Sequence, residues 1–151
     1  MNWEKLLENK SLQEKRVSLK EVESVLEKAC NCVKAAKLLL KGGVNESVFK
    51  EAYDAMLLAG RALMFFQGLK SRSVGSHAIT IEFCELYLGE DFKTLILKFK
   101  KMKQKRNYLI YGIGLAVSKT EAENSLKAAE EFVEKISKLI KQKNLQKKLI
   151  Q

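Results

Sequence analysis

From Ser18 onward the apolar positions recur at intervals of three and four, the period of a helix with one buried face. Val22, Val25, Leu26, Ala29, Val33, Ala36, Leu39 and Leu40 form the cleanest stripe, opened by a Ser18/Glu21 capping box and stopped by Gly42 and Gly43. The next segment starts at Asn45 or Ser47, runs to Gly68 and is apolar on more than one face. Phe49, Tyr53, Met56, Leu63 and Phe66 fill its large positions, and Ala52, Ala55, Ala59 and Ala62 form a small-residue ridge. A helix apolar on two sides is buried between neighbours. The ridge lets the Ala29, Cys32, Ala36 side of the preceding helix approach closely, so the two are expected to form an antiparallel hairpin.

The remaining segments are less regular. A short helix is expected near Asn2 to Leu12, with Trp3, Leu6 and Leu7 as its apolar side. Lys70 to Ser76 reads as a polar loop, and Ser76 as the cap of a helix from His77 to Leu88 that carries Ile79, Phe83, Leu86 and Tyr87. The start of that segment alternates like a strand, but no partner strand is visible in the sequence, so helix is expected. A second capping box, Ser118 with Glu121, opens the last helix, which carries Ala122, Leu126, Ala129, Phe132, Val133, Ile136, Leu139 and Ile140 and ends in a lysine-rich run. The fold class expected is all-α: one domain over residues 1–151, an up-and-down antiparallel bundle of about five helices plus a short N-terminal one, with no sheet.

Between these lies Asp91 to Gly112. At about 100° per residue, Phe92, Leu95, Ile96, Phe99, Met102, Leu109 and Ile110 share a face, and Arg106 falls in its middle. An arginine in an apolar stripe is costly unless a partner or water meets it. Glu51 and Asp54 on the central hairpin helix are reasonable partners across the bundle. The opposite face carries Lys93, Lys98, Lys100, Lys101 and Lys105.

Composition narrows the class. The net charge of +10 favours an anionic partner such as nucleic acid, nucleotide or an acidic protein surface, although Lys and Glu also make ordinary solvated helix faces. No apolar run approaches the ~18 residues of a membrane span, and the charged start MNWEKLLENK is unlike a signal peptide. Three cysteines in a Lys-rich chain fit a reducing interior, so a cytoplasmic location without membrane association is expected. Cys30 and Cys32 diverge by roughly 200° on a helix and cannot chelate one metal without unwinding; core packing is their expected role. No glycine-rich phosphate loop, HExxH or Cys-x-x-Cys occurs, so no metal and no cofactor are expected. His77 is the sole histidine, and at a helix start its expected role is packing or capping.

The order of a long helix, a glycine turn, AYDAMLLAGRALMFFQGLKSRSVGSH, a basic helix ending RNYLIY and a capped EAENSLKAAEEFV helix resembles the HEPN family. It is closest to the small prokaryotic members with a Tyr-x-Ala-Met, Arg-Ala-Leu, Gly-Leu hairpin, and the resemblance covers roughly Ser18 to Ile140. HEPN proteins are helical bundles that usually dimerise, bringing together two motifs in which an arginine precedes a histidine by a few residues. Many are metal-independent endoribonucleases, often toxins paired with a minimal nucleotidyltransferase. The resemblance implies Arg106 as the motif arginine and Asn107 as the polar residue after it. Tyr111 stands where the family has histidine. A tyrosine, ordinarily near pKa 10, is a poor base for a ribose hydroxyl, whereas Arg106 can still stabilise a developing phosphorane.

The expected function is therefore a homodimeric protein binding RNA or nucleotide at an Arg106-centred groove. Asn107, Lys98, Lys101 and Lys105 are its binding residues, and Arg106 and Tyr111 its catalytic candidates. A metal-independent endoribonuclease of a toxin-antitoxin or defence system is the enzymatic form. The alternative is a non-catalytic interaction module for a nucleotidyltransferase partner.

Overall fold

A computed structural model describes residues 3–72, 76–112 and 116–150. Its helices are α1 (Lys5–Glu8), α2 (Leu19–Lys41), α3 (Asn45–Phe66), α4 (His77–Tyr87), α5 (Lys93–Tyr111) and α6 (Lys119–Ile150), with a 3-10 turn at Glu90–Phe92. The five longer helices and the short first one match the expected all-helical class.

Both capping boxes are formed. Glu21 N–H donates to Ser18 Oγ at 3.2 Å and Ser18 N–H to a Glu21 carboxylate oxygen at 3.2 Å; Ser118 and Glu121 repeat the exchange at 3.1 and 3.2 Å. Helix α3 is the hub, packed against α2, α4, α5 and α6. Ala52, Ala55, Ala59 and Ala62 are fully buried on it, as are Ala29 and Ala36 on the facing side of α2. Small residues on both helices bring the backbones together.

Two three-residue strands, β1 (Leu12–Glu14) and β2 (Leu69–Ser71), pair antiparallel with Leu12 opposite Ser71 and Glu14 opposite Leu69. This overturns the expectation of no sheet and shortens the expected N-terminal helix. Lys10, at φ 65°, turns the chain out of α1, and Ser11 N–H donates to Asn9 Oδ1 at 3.0 Å. Leu12 and Leu69 are buried, so the ribbon covers one end of the core. Gly68, in left-handed backbone at φ 72°, starts the return strand, and its carbonyl accepts from Lys15 N–H at 2.8 Å.

Other expectations are corrected more locally. Ser76 precedes α4 without a side-chain cap; its hydroxyl meets that of Ser71 instead. Ile110, expected on the buried face of α5, is 43% exposed, one turn's end from the extended backbone of Gly112. Cys30 is exposed and Cys32 half-buried, because their divergence on α2 turns only one of them inward; Cys84 is buried.

Gly60 sits where α3 and α4 touch. A Cβ there would lie 2.9 Å from Thr80 Cγ2 and 3.1 Å from Cys84 Sγ, both buried. Gly60→Val should therefore cost about 1–3 kcal/mol through forced separation of the two helices. In Gly60→Ala the overlap should cancel the ~0.5–1 kcal/mol that alanine normally gains in a helix. Urea midpoints of the two variants test this; a valine variant as stable as the parent would mean the contact yields freely.

Candidate functional site

Rotation along α5 separates its polar side chains into two groups. Lys103, Arg106, Asn107 and Tyr111 lie on one flank, and Lys98, Lys101 and Lys105 on the other. Each flank borders its own cleft. The first, about 360 Å³, is lined by Ser76, His77 and Ala78 at the start of α4 and by Lys103, Arg106, Asn107 and Tyr111 of α5. The second, about 400 Å³, is lined by Lys98, Lys101, Met102 and Lys105 of α5, Phe49 of α3, and Glu121, Asn124, Ser125 and Ala128. The residues expected to form one site are thus divided: Arg106, Asn107 and Tyr111 come together, and the three lysines face elsewhere.

Arg106 points inward, as its place in the apolar stripe requires. Its guanidinium carbon lies 5.3 Å from the centroid of the Tyr53 ring, a cation–π contact. Asp54, one of the two carboxylates expected to meet it, is there: Oδ1 is 3.9 Å from Nε. That separation is an ion pair without a hydrogen bond. Among the described residues the buried Nε has no hydrogen-bond partner. Glu51, the other candidate, faces Cys32 instead, whose thiol is pushed up to about 11 by burial and by that carboxylate.

Tyr53 joins the site from below. It is fully buried, and its hydroxyl lies 3.0 Å from Nδ1 of His77. Burial, opposed by Arg106, pushes the phenol up to about 12, so it remains protonated at neutral pH. The same tyrosine therefore carries Arg106 on its ring and His77 on its hydroxyl. The imidazole is held below the ordinary histidine value, first by burial and then by Arg106, Arg61 and Lys103. Burial raises the Asp54 carboxyl above its usual range against the pull of Arg106.

Lys105 pairs with Glu121, whose carboxyl is lowered mainly by that contact, and also lies 5.9 Å from the Phe49 ring centroid. Lys98 and Lys101 are exposed at the rim of the second cleft. Asn107 is exposed, and Tyr111 is 85% exposed at the end of α5.

His77 and Tyr53 are the residues sequence reasoning missed as site members. Nothing in the spacing links them to Arg106, because the packing of α4 and α5 on α3 is what assembles them. The fully polar flank of Asn107 and Tyr111, by contrast, follows from helical rotation alone.

Among the described residues no helix is long and apolar enough to cross a membrane. No curated protein matches the chain. The family model for the HEPN domain matches residues 22–140, from the first turns of α2 to Ile140 in α6, and takes in the whole of α3, α4 and α5. The protein belongs to the HEPN domain family.

Proposed function

We propose that this HEPN domain binds RNA, taking a backbone phosphate in the Arg106 cleft, and acts as a homodimer. The observation that carries the reading is Arg106 itself: a guanidinium bordering an open cleft and, among the described residues, with the Asp54 carboxylate at 3.9 Å and its Nε without a hydrogen bond. A guanidinium whose carboxylate neighbour stands beyond hydrogen-bond distance suits a phosphate, which accepts paired charge-assisted hydrogen bonds. Lys103 in the same cleft and the chain's net charge of +10 add a non-specific attraction for polyanions. The setting suggested by the family is a toxin-antitoxin or defence system.

HEPN domains commonly dimerise, and α5 offers a surface for it. Leu97, Tyr108 and Tyr111 recur on one side of the helix and are 51%, 55% and 85% exposed. A symmetric contact there would bring two Arg106 clefts near one another. The same stripe favours, as a second reading, a docking face for a nucleotidyltransferase partner.

Fluorescence anisotropy with a single-stranded oligoribonucleotide tests the binding. Arg106→Ala should weaken it about tenfold or more, the loss of a charge-assisted contact. Lys98→Ala and Lys101→Ala should each weaken binding to any sequence evenly and reduce the salt slope by about one. Unchanged affinity in Arg106→Ala overturns the reading. Light scattering should give twice the monomer mass, falling toward the monomer in Tyr108→Glu; a monomeric parent at micromolar concentration removes the dimer from it.

A further inference from the structure

We propose that the second cleft, between α5 and the start of α6, is a docking groove for an acidic, leucine-bearing helix of a partner protein. It lies on the flank of α5 turned away from Arg106 and stands apart from the RNA-binding reading. Its walls are two helical stripes, positions 98, 101, 102 and 105 of α5 and positions 121, 124, 125 and 128 of α6. Each has the i, i+3, i+4, i+7 spacing of one helix face and runs two turns, roughly 10 Å. The cleft between them, about 400 Å³, matches two turns of a third helix laid along it.

The floor is apolar and calls for no hydrogen bond. Phe49, Met102 and Ala128 are buried there, and the buried Ser125 donates within its own helix, to the Ala122 carbonyl at 2.8 Å. Such a floor takes aliphatic side chains, as grooves that seat amphipathic helices do. A nucleobase would need an open ring to stack on. Phe49 offers none, being 4% exposed with Lys105 Nζ 5.9 Å from its ring centroid.

The rim sets the sign of the partner. From Phe92 to Thr120 the sequence holds no acidic residue. Lys105 is paired with Glu121, which also caps α6 through Ser118, so this pair closes one end of the groove with its charges cancelled. Among the described residues, Lys98 and Lys101 are exposed and not ion-paired, and Asn124 on the other wall is uncharged. An apolar strip beside two free lysines complements a helix with leucines on one face and glutamate or aspartate along its edge. A second copy of this chain does not carry such a face. Its exposed Leu38, Leu97, Leu145 and Leu149 each lack an acidic residue three or four positions away.

The test uses the full chain and a labelled synthetic peptide of about fourteen residues, four helical turns. The peptide has leucines at i, i+3, i+4 and i+7 and glutamates beside them. One control replaces the glutamates by lysines, and another replaces the leucines by serines. Fluorescence anisotropy should show the acidic leucine peptide binding at least about tenfold more tightly than either control. In methyl NMR it should shift the Met102 and Ala128 signals. Lys98→Glu combined with Lys101→Glu should weaken the peptide about tenfold or more. Ala128→Leu, which fills the floor, should do the same while leaving oligoribonucleotide affinity unchanged. Asn124→Leu changes an exposed position, so folding is not at stake; it extends the apolar wall and should tighten the peptide about threefold. An acidic leucine peptide that leaves the Met102 and Ala128 methyls unmoved overturns the proposal. So does equal binding of either control peptide. An oligoribonucleotide that shifts those two methyls and loses affinity in Ala128→Leu also overturns it, and makes the groove part of the RNA surface. Peptide binding in a protein that fails to bind RNA supports the groove and removes only the RNA reading.

Discussion

Truncating Phe99 to alanine is expected to cost about 3–5 kcal/mol and to weaken RNA binding in the protein that remains folded. Phe99 is fully buried at the middle of α5, its ring 5.7 Å from that of Tyr53 on α3 and 5.4 Å from that of Phe132 on α6, both edge-on. Phe132 in turn meets Phe92 at 6.2 Å. Each such pair adds about 0.5–1.5 kcal/mol beyond the area it buries, so one ring fixes α5 to two neighbours. The functional consequence runs through Tyr53, which supports Arg106 and His77. A cavity beside its ring would let the ring shift and carry both groups with it. Phe99→Leu, which leaves a smaller cavity, should cost far less and retain most of the affinity. Denaturant midpoints and anisotropy on the same samples check this; a loss below about 1 kcal/mol for the alanine variant would show that the aromatic chain does not anchor the bundle.

The long helices were legible because their evidence is local. Val22 to Leu40 and Ala122 to Ile140 keep a three-four stripe over many turns, and each starts at a serine with a glutamate three residues on. The β1–β2 ribbon was not legible, because three residues hold only one alternation and Leu12 becomes a strand residue only when α3 returns Leu69 beside it. The inward direction of Arg106 and its meeting with Asp54 were also readable, since period and reach decide them. The split between Lys98, Lys101 and Lys105 and the Asn107–Tyr111 flank follows from the same 100° rotation that sets Arg106 and those lysines on opposite faces of α5; that each face borders a cleft of its own depends on how α4 and α6 pack beside it. His77 was out of reach for a different reason. Its place in the cleft depends on how closely α4 packs against α3, which Gly60 permits by presenting no side chain to Thr80 and Cys84.

Arg106→Ala should lower stability by only about 1–2 kcal/mol while reducing RNA affinity about tenfold or more. The opposite pattern, a loss of about 3–5 kcal/mol without a change in affinity, is what an arginine serving only as a buried ion-pair partner would give, because its removal strands a buried carboxylate. The geometry argues against that pattern. The Asp54 side chain is 43% exposed and can be hydrated once Arg106 is gone, and the pair stands at 3.9 Å without a hydrogen bond. Asp54 is moreover raised above its usual range, burial outweighing the arginine. An acid raised on folding binds more protons in the native state, so its contribution favours folding at low pH and declines as pH rises through its titration. A pair selected for stability would leave that acid depressed. What Arg106→Ala removes is a cation–π contact of about 0.5–1 kcal/mol, some packing of its stem, and a weak ion pair. With the cation gone, the Asp54 carboxyl should titrate higher still, a shift that carbon-detected NMR of the side chain reports directly. Should the variant unfold near neutral pH, or should Asp54 titrate lower, Arg106 belongs to the scaffold and the phosphate site must be sought among the lysines of the second cleft.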